Sequence, residues 1–69
     1  MDVGRVKWFS ESQGYGFIEH IDGREVYFHY TAVVKNRYQP RLTDGVEVEF
    51  DLLTTTSGYE ASNVRVFER

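Results

Sequence analysis

The 69-residue chain has no cysteine, a single proline, two histidines and no long apolar run. Without cysteine there are no disulfides and no thiolate metal sites, which fits a reducing compartment. Without an apolar stretch near twenty residues there is no membrane-spanning helix. The opening Met1-Asp2-Val3-Gly4-Arg5-Val6-Lys7 also lacks the apolar core of a signal peptide. The expectation is a soluble, cytoplasmic chain with no membrane partner. Two histidines without clustered ligand spacing offer no metal site, and Glu19, Glu25 and His29 form no recognisable catalytic arrangement. No enzyme activity, cofactor or small-molecule substrate is expected.

A convincing helical period is missing too, as is any internal repeat or linker. The length suits one domain, residues 1–69, with a small stability margin. Cations are scarce: 8 Lys+Arg against 11 Asp+Glu give a net charge of −3, so charge alone does not advertise a polyanion partner. Distribution tells more. Arg5, Lys7, Arg24, Lys35, Arg37 and Arg41 lie early, whereas Glu47, Glu49 and Asp51 alternate with Val46, Val48, Phe50 and Leu52. That alternation reads as a half-buried strand with an acidic outer face.

What the chain does have is aromatic residues, 16% of the total, concentrated in an ordered pattern. In Gly14-Tyr15-Gly16-Phe17-Ile18 a strand puts Tyr15 and Phe17 on one face and Ile18 with the glycines on the other. In Val26-Tyr27-Phe28-His29-Tyr30, Val26 and Phe28 share the core side, leaving Tyr27, His29 and Tyr30 opposite. The intervening Ile21-Asp22-Gly23-Arg24-Glu25 reads as a hairpin turn. A two-residue loop would set Phe17 against Phe28 and mix rings with core. An odd loop of three or five residues keeps the faces apart, and the expected register sets Phe17 opposite His29, Glu19 opposite Tyr27 and Ile18 opposite Phe28. Leaving large rings on the solvent side forgoes roughly 1.5–3 kcal/mol of burial each, which points to a ligand that covers them. Flat bases stacking on the rings fit that layout.

The remaining chain reads as short strands. Residues 3–9 form the first, with Val3, Val6 and Phe9 inward, Arg5, Lys7 and Trp8 outward, and a bulge near Trp8 to reconcile the period. Residues 10–13 turn into the strand at 14–20, and 26–30 is the third strand. Residues 31–34 make one helical turn, 35–41 a basic loop carrying Tyr38, and 43–45 a turn into the acidic strand. Residues 54–58 read as a flexible polar loop before a fifth strand, 59–67, with Ala61, Val64 and Val66 inward. Five short strands imply a small all-β barrel that protects its edges and sets the first three strands side by side. His20 falls on the core side at a strand end, with no role assigned.

These stretches resemble the cold-shock domain family, the small OB-fold barrels that bind single-stranded nucleic acid. The resemblance spans essentially the whole chain: Gly4-Arg5-Val6-Lys7-Trp8-Phe9, the RNP1-like Gly14-Tyr15-Gly16-Phe17-Ile18, the RNP2-like Val26-Tyr27-Phe28-His29-Tyr30, Thr31-Ala32 and Ala61-Ser62-Asn63-Val64. It implies a five-stranded antiparallel OB-fold barrel whose partner is single-stranded RNA or DNA. Members are typically nucleic-acid chaperones or regulators of transcription and translation. It further implies stacking subsites at Trp8, Tyr15, Phe17, Tyr27, His29, Tyr30 and Tyr38, with Lys7 contacting the strand. Arg5, Phe9, Gln13, Lys35, Arg37 and Tyr59 form a second tier of candidate contacts.

The chain departs from the family pattern at several of these positions. Gln13 stands where lysine is usual, and Tyr15, Tyr27, Tyr30 and Tyr38 where phenylalanine is usual. Lys35 and Arg37 replace small residues in a longer loop, and Tyr59 occupies a position often held by a small residue or proline. A monomer is expected, with a strand-exchanged dimer as the alternative state. The rival function is a protein-interaction barrel using the same aromatic patch. The RNA-recognition-motif fold is rejected, because it needs two amphipathic helices and carries the two motifs in the reverse order.

Overall fold

The computed structural model describes residues 1–34 and 42–67. Five strands appear in chain order: β1 (Asp2–Ser10), β2 (Tyr15–His20), β3 (Glu25–His29), β4 (Glu47–Thr55) and β5 (Gly58–Val66). A single 3-10 turn, Tyr30–Ala32, follows β3. The sheet closes as a barrel in the order β1-β2-β3-β5-β4, the five-stranded all-β architecture that the strand pattern implied. Four seams are antiparallel; the closing contact of β3 with β5 is parallel and pairs Tyr27 with Glu60.

Alternation does the sorting. Val6, Ile18, Val26, Phe28, Val48, Phe50, Ala61 and Val64 are almost wholly buried and form one core. Every one sits at a position whose strand neighbours face outward, which is why a chain this short finds a single core. The β1 bulge falls at Lys7, between the Val6↔Ile18 and Trp8↔Phe17 pairs. It inserts one residue and switches the face that follows, so Val6 points in and Trp8 points out.

The β2–β3 hairpin closes with an odd loop, Ile21-Asp22-Gly23, flanked by a hydrogen bond from the His20 backbone N–H to the Arg24 carbonyl at 2.8 Å. Gly23 takes φ 96°, the left-handed position that such a three-residue loop needs. Parity therefore holds, but the register is two residues from the expected one. Phe17 opposes Tyr27 rather than His29, Tyr15 opposes His29, Ile18 opposes Val26, and Glu19 opposes Glu25. The shorter loop pulls the strands together and sets two rings directly across from each other.

The β4–β5 connection differs more. Residues 54–58 are not one loop, because β4 continues through Thr55, which pairs with Gly58 around a two-residue turn. Threonines favour a pleated backbone, and Thr55 ties the turn from its side chain: Oγ1 donates to the Gly58 carbonyl and accepts from the Ser57 N–H. Farther along β5, Asn63 adopts φ 52° where the β4 register shifts between Glu49 and Asp51. Its side-chain amide donates to Asp51 at 2.8 Å.

Candidate nucleic-acid interface

β1, β2 and β3 lie side by side, and their outer faces bring four rings into one cluster. Trp8 meets Tyr15 at 5.3 Å between ring centroids and Phe17 at 6.4 Å. Tyr15 and Phe17 are 6.1 Å apart, and Tyr27 lies 5.9 Å from each of them. These are edge-on or tilted contacts at ordinary aromatic spacing, which keep ring faces turned outward. Trp8 remains 40% exposed although the barrel has an interior ready to bury apolar groups.

The face is thin because of one glycine. A Cβ on Gly16 would collide with the Trp8 carbonyl oxygen and come within 2.9 Å of the Phe9 Cα and 3.1 Å of Phe28. Its absence lets β1 lie close over β2. Phe9 is then free to stack on Phe28, with centroids 5.5 Å apart and planes 16° from parallel. Phe9, a second-tier contact from the sequence, therefore packs against the core and supports the face from beneath.

His29 and Tyr30 form a separate pair, 4.6 Å apart, where β3 ends. His29 caps the 3-10 turn: its Nδ1 accepts from the Thr31 backbone N–H and lies 2.9 Å from the Thr31 hydroxyl. An Nδ1 that accepts leaves the neutral ring's proton on Nε2, turned away from the cap. Tyr30 is 49% exposed. Its ring stands over Gly14, which takes φ 80° and leaves 3.0 Å to the nearest Tyr30 carbon for a would-be Cβ.

The cations are less available than the sequence suggests. Lys7 Nζ donates to Glu25 at 2.9 Å, and that hydrogen bond, with the attraction of the carboxylate, raises the lysine's pKa above its ordinary value. Arg5 lies 3.7 Å from Glu47. Glu19 and Glu25 are paired across β2 and β3, so the ring cluster is bounded at that end by carboxylates. Gln13 is exposed beyond β1, its backbone N–H held by Ser10 Oγ at 3.3 Å. Tyr38, Lys35 and Arg37 lie outside the described residues.

The sequence did not bring out His20. It is buried, with Nε2 2.8 Å from Asp2 Oδ1 and Nδ1 3.0 Å from Asp22 Oδ1, and it joins β1 to the hairpin loop. The available signal was an imidazole on the core side of a strand whose partner begins with an aspartate. The hydrogen bond from His20 holds the Asp2 carboxyl below the usual carboxylate range. Asp22 is lowered as well, first by the Arg24 backbone N–H and then by its side chain. Tyr59, at the start of β5, carries the Arg24 guanidinium 4.6 Å from its ring centroid. Among the described residues no group of His, Asp or Glu side chains could hold a metal ion, and no helix is long and apolar enough to cross a membrane.

Residues 2–67 match the family described as the 'Cold-shock' DNA-binding domain. The chain is 44% identical over 61 residues to the cold shock-like protein CspC of Bacillus cereus, covering 88% of this chain and 92% of that one. With cold shock protein CspD of Bacillus subtilis it shares 42% identity over 64 residues, 93% of this chain and 96% of the relative. Y-box-binding protein 1 of Xenopus laevis is 46% identical over 66 residues, but these are only 22% of that longer protein, against 90% of this chain. The solved structure of drosophila Unr CSD456 superposes with a TM-score of 0.78 at 22% identity, over 97% of this chain and 26% of that one, a likeness of fold. The chain therefore belongs to the cold-shock domain family of nucleic-acid-binding barrels.

Proposed function

We propose that this chain is a single cold-shock domain that binds unpaired RNA or single-stranded DNA with little regard to sequence, by stacking bases on Trp8, Tyr15, Phe17, Tyr27, His29 and Tyr30. One observation carries the reading: a contiguous cluster of four rings lies outside a closed barrel whose apolar residues fill its interior. Stacking supplies roughly 1–3 kcal/mol per base and tolerates any base, since each has a π-face. Lys7 adds a phosphate contact, once released from Glu25. Tyr38, Lys35 and Arg37 belong to the proposed site by family resemblance.

A duplex hides its base faces and is a poor ligand for such a surface. Preference for the open strand shifts weak hairpins toward unpaired forms without any catalytic step. That is the work of a nucleic-acid chaperone or a regulator of transcription or translation, acting as a cytoplasmic monomer. Few available cations means few counterions released on binding, so affinity should fall only gently with salt.

The test is a titration of Trp8 fluorescence with a short pyrimidine single strand and with a matched duplex, at low and moderate salt. Strong quenching by the single strand alone, persisting in salt, is the expected result. Quenching that vanishes with modest salt would replace stacking with charge as the driving force. No response to either ligand would turn the aromatic face into a protein-binding surface.

A further inference from the structure

The two ends of β2 differ. Tyr15 and Phe17 open the strand within the ring cluster, and where it runs out a groove of about 530 Å³ lies along its seam with β1, bordered by Val3, Arg5, Glu19, Ile21 and Glu47. Among the described residues the only aromatic side chain on that border is His20, which is buried, so a base finds nothing there to stack on.

The groove has an aliphatic floor on a braced backbone. Ile21 is 81% exposed, and its backbone N–H bonds the Val3 carbonyl at 3.1 Å, which makes the two residues neighbours across the seam. Beyond Ile21 the loop is fixed through Asp22, whose Oδ2 accepts from Arg24 Nε at 2.7 Å and whose Oδ1 lies 3.0 Å from His20 Nδ1. A segment held in this way loses little freedom when a ligand covers it. Gly4 keeps the two strands close, because a Cβ there would collide with the Glu19 carbonyl oxygen and come within 2.8 Å of Ile18 Cγ2.

Arg5 stands between two carboxylates, opposite Glu19 on β2 and Glu47 on β4. It lies 3.7 Å from Glu47. Glu19 has no hydrogen bond or ion pair among the described residues. An aliphatic floor beside surplus negative charge repels the phosphates of a nucleic acid or of a lipid surface. A second copy meeting the first by the same patch would set Glu19 against Glu19. What complements the groove is a cation carried next to an aliphatic side chain. We propose that it docks an extended segment of a partner protein in which lysine or arginine shares one face with an aliphatic residue, the aliphatic side chain resting on Val3 and Ile21 and the cation meeting Glu19. This goes beyond the stacking function and does not require it. Rings and groove occupy opposite ends of β2, so a partner can sit on a chain that is holding an open strand.

The probe is an end-capped lysine-serine-isoleucine-serine-lysine peptide, whose first, third and fifth side chains share one face when extended. It is titrated into the full chain and followed by amide NMR shifts. Saturable shifts at Val3, Arg5, Glu19 and Ile21, with Tyr15, Phe17 and Tyr27 undisturbed, are expected. Peptides with serine for the isoleucine, or glutamate for both lysines, should bind at least about fivefold more weakly. Ile21→Ser should weaken the original peptide about tenfold and leave the quenching of Trp8 by heptathymidine unchanged. Shifts centred on the rings, an unchanged peptide affinity in Ile21→Ser, or no saturable shift at all overturns the docking site. Shifts at the same residues on raising the protein concentration alone would give the groove to a second copy and overturn it as well.

Discussion

The outer face of β1-β2-β3 and the outer face of β4-β5 are built by the same alternation and end in opposite chemistry. On β4 the outward carboxylates have protein partners: Glu47 meets Arg5, Glu49 meets Arg65 at 3.5 Å, and Asp51 takes the Asn63 amide. On β1-β2-β3 the outward residues include four rings packed against one another, with the Lys7–Glu25 pair at their border. A paired charged face is complete in water. An exposed apolar face is not, because covering it releases the water it orders. The contrast supports the proposal that the ligand lies on one side of the barrel, with the other side turned to solvent.

The deepest way to break this comparison is to remove what both faces share. Phe28 is wholly buried, stacks on Phe9 and lies beneath Gly16. Truncating a buried phenylalanine costs about 3–5 kcal/mol, most of the margin of a domain this size. Phe28→Ala should abolish the cooperative thermal transition followed by circular dichroism. Phe17→Ala, one strand away but outward, should leave a folded protein and lose binding instead, by roughly 5- to 150-fold for one stacked base. Equal damage to folding by both substitutions would erase the distinction between core and platform rings.

How far this division was readable in the sequence depended on distance along the chain. Parity sorted Tyr15 and Phe17 from Ile18, and Tyr27 from Phe28, because strand alternation is local and its period is fixed. The bulge at Lys7 was readable for the same reason: Val6 and Trp8 needed opposite faces. Parity does not fix the offset between strands, so the Phe17–Tyr27 pair was missed. That offset belongs to a loop closed by the His20 and Arg24 backbones, and two odd loop lengths satisfy the same alternation. Thr54 and Thr55 were read by polarity as part of a loop, although β-branching suits them to the strand that β4 continues. The parallel β3–β5 seam joins segments far apart in sequence and left no local signal.

The Lys7–Glu25 pair offers a smaller, sharper test, since there a carboxylate borders the ring face and holds a cation. Both side chains are exposed, so the pair adds little to stability. Glu25→Gln releases the lysine for a phosphate. Binding should tighten several-fold at low salt, and the slope of log affinity against log salt should steepen by about 0.7, the value for one added contact to a single strand. Glu49→Gln, on the other face, should leave both quantities unchanged. A wild-type slope in Glu25→Gln would mean that losing Glu25 adds no phosphate contact through Lys7.

The smallest expected effect concerns acid, and it separates the two faces by stability rather than binding. Asp2 and Asp22 flank His20 at the hairpin end of the barrel, and both carboxyls are held below their ordinary range in the folded protein. A carboxyl lowered by folding stabilises the fold above its unfolded pKa, near about 4. That contribution fades as pH falls through the lower folded value, because the unfolded chain then binds the proton more readily than the folded one. The loss therefore lies below about pH 4, and neutral pH retains the full effect. Asp2→Asn should start from a slightly lower melting temperature at neutral pH and decline less steeply than wild type on acidification. Because Asp2 touches none of the rings, its replacement should leave Trp8 quenching by a single strand unaltered at neutral pH. An Asp2→Asn melting curve that parallels wild type down through pH 3 would remove the clamp from the list of what holds β1 to the hairpin, and would leave the acid sensitivity of the barrel to the paired carboxylates of β4-β5.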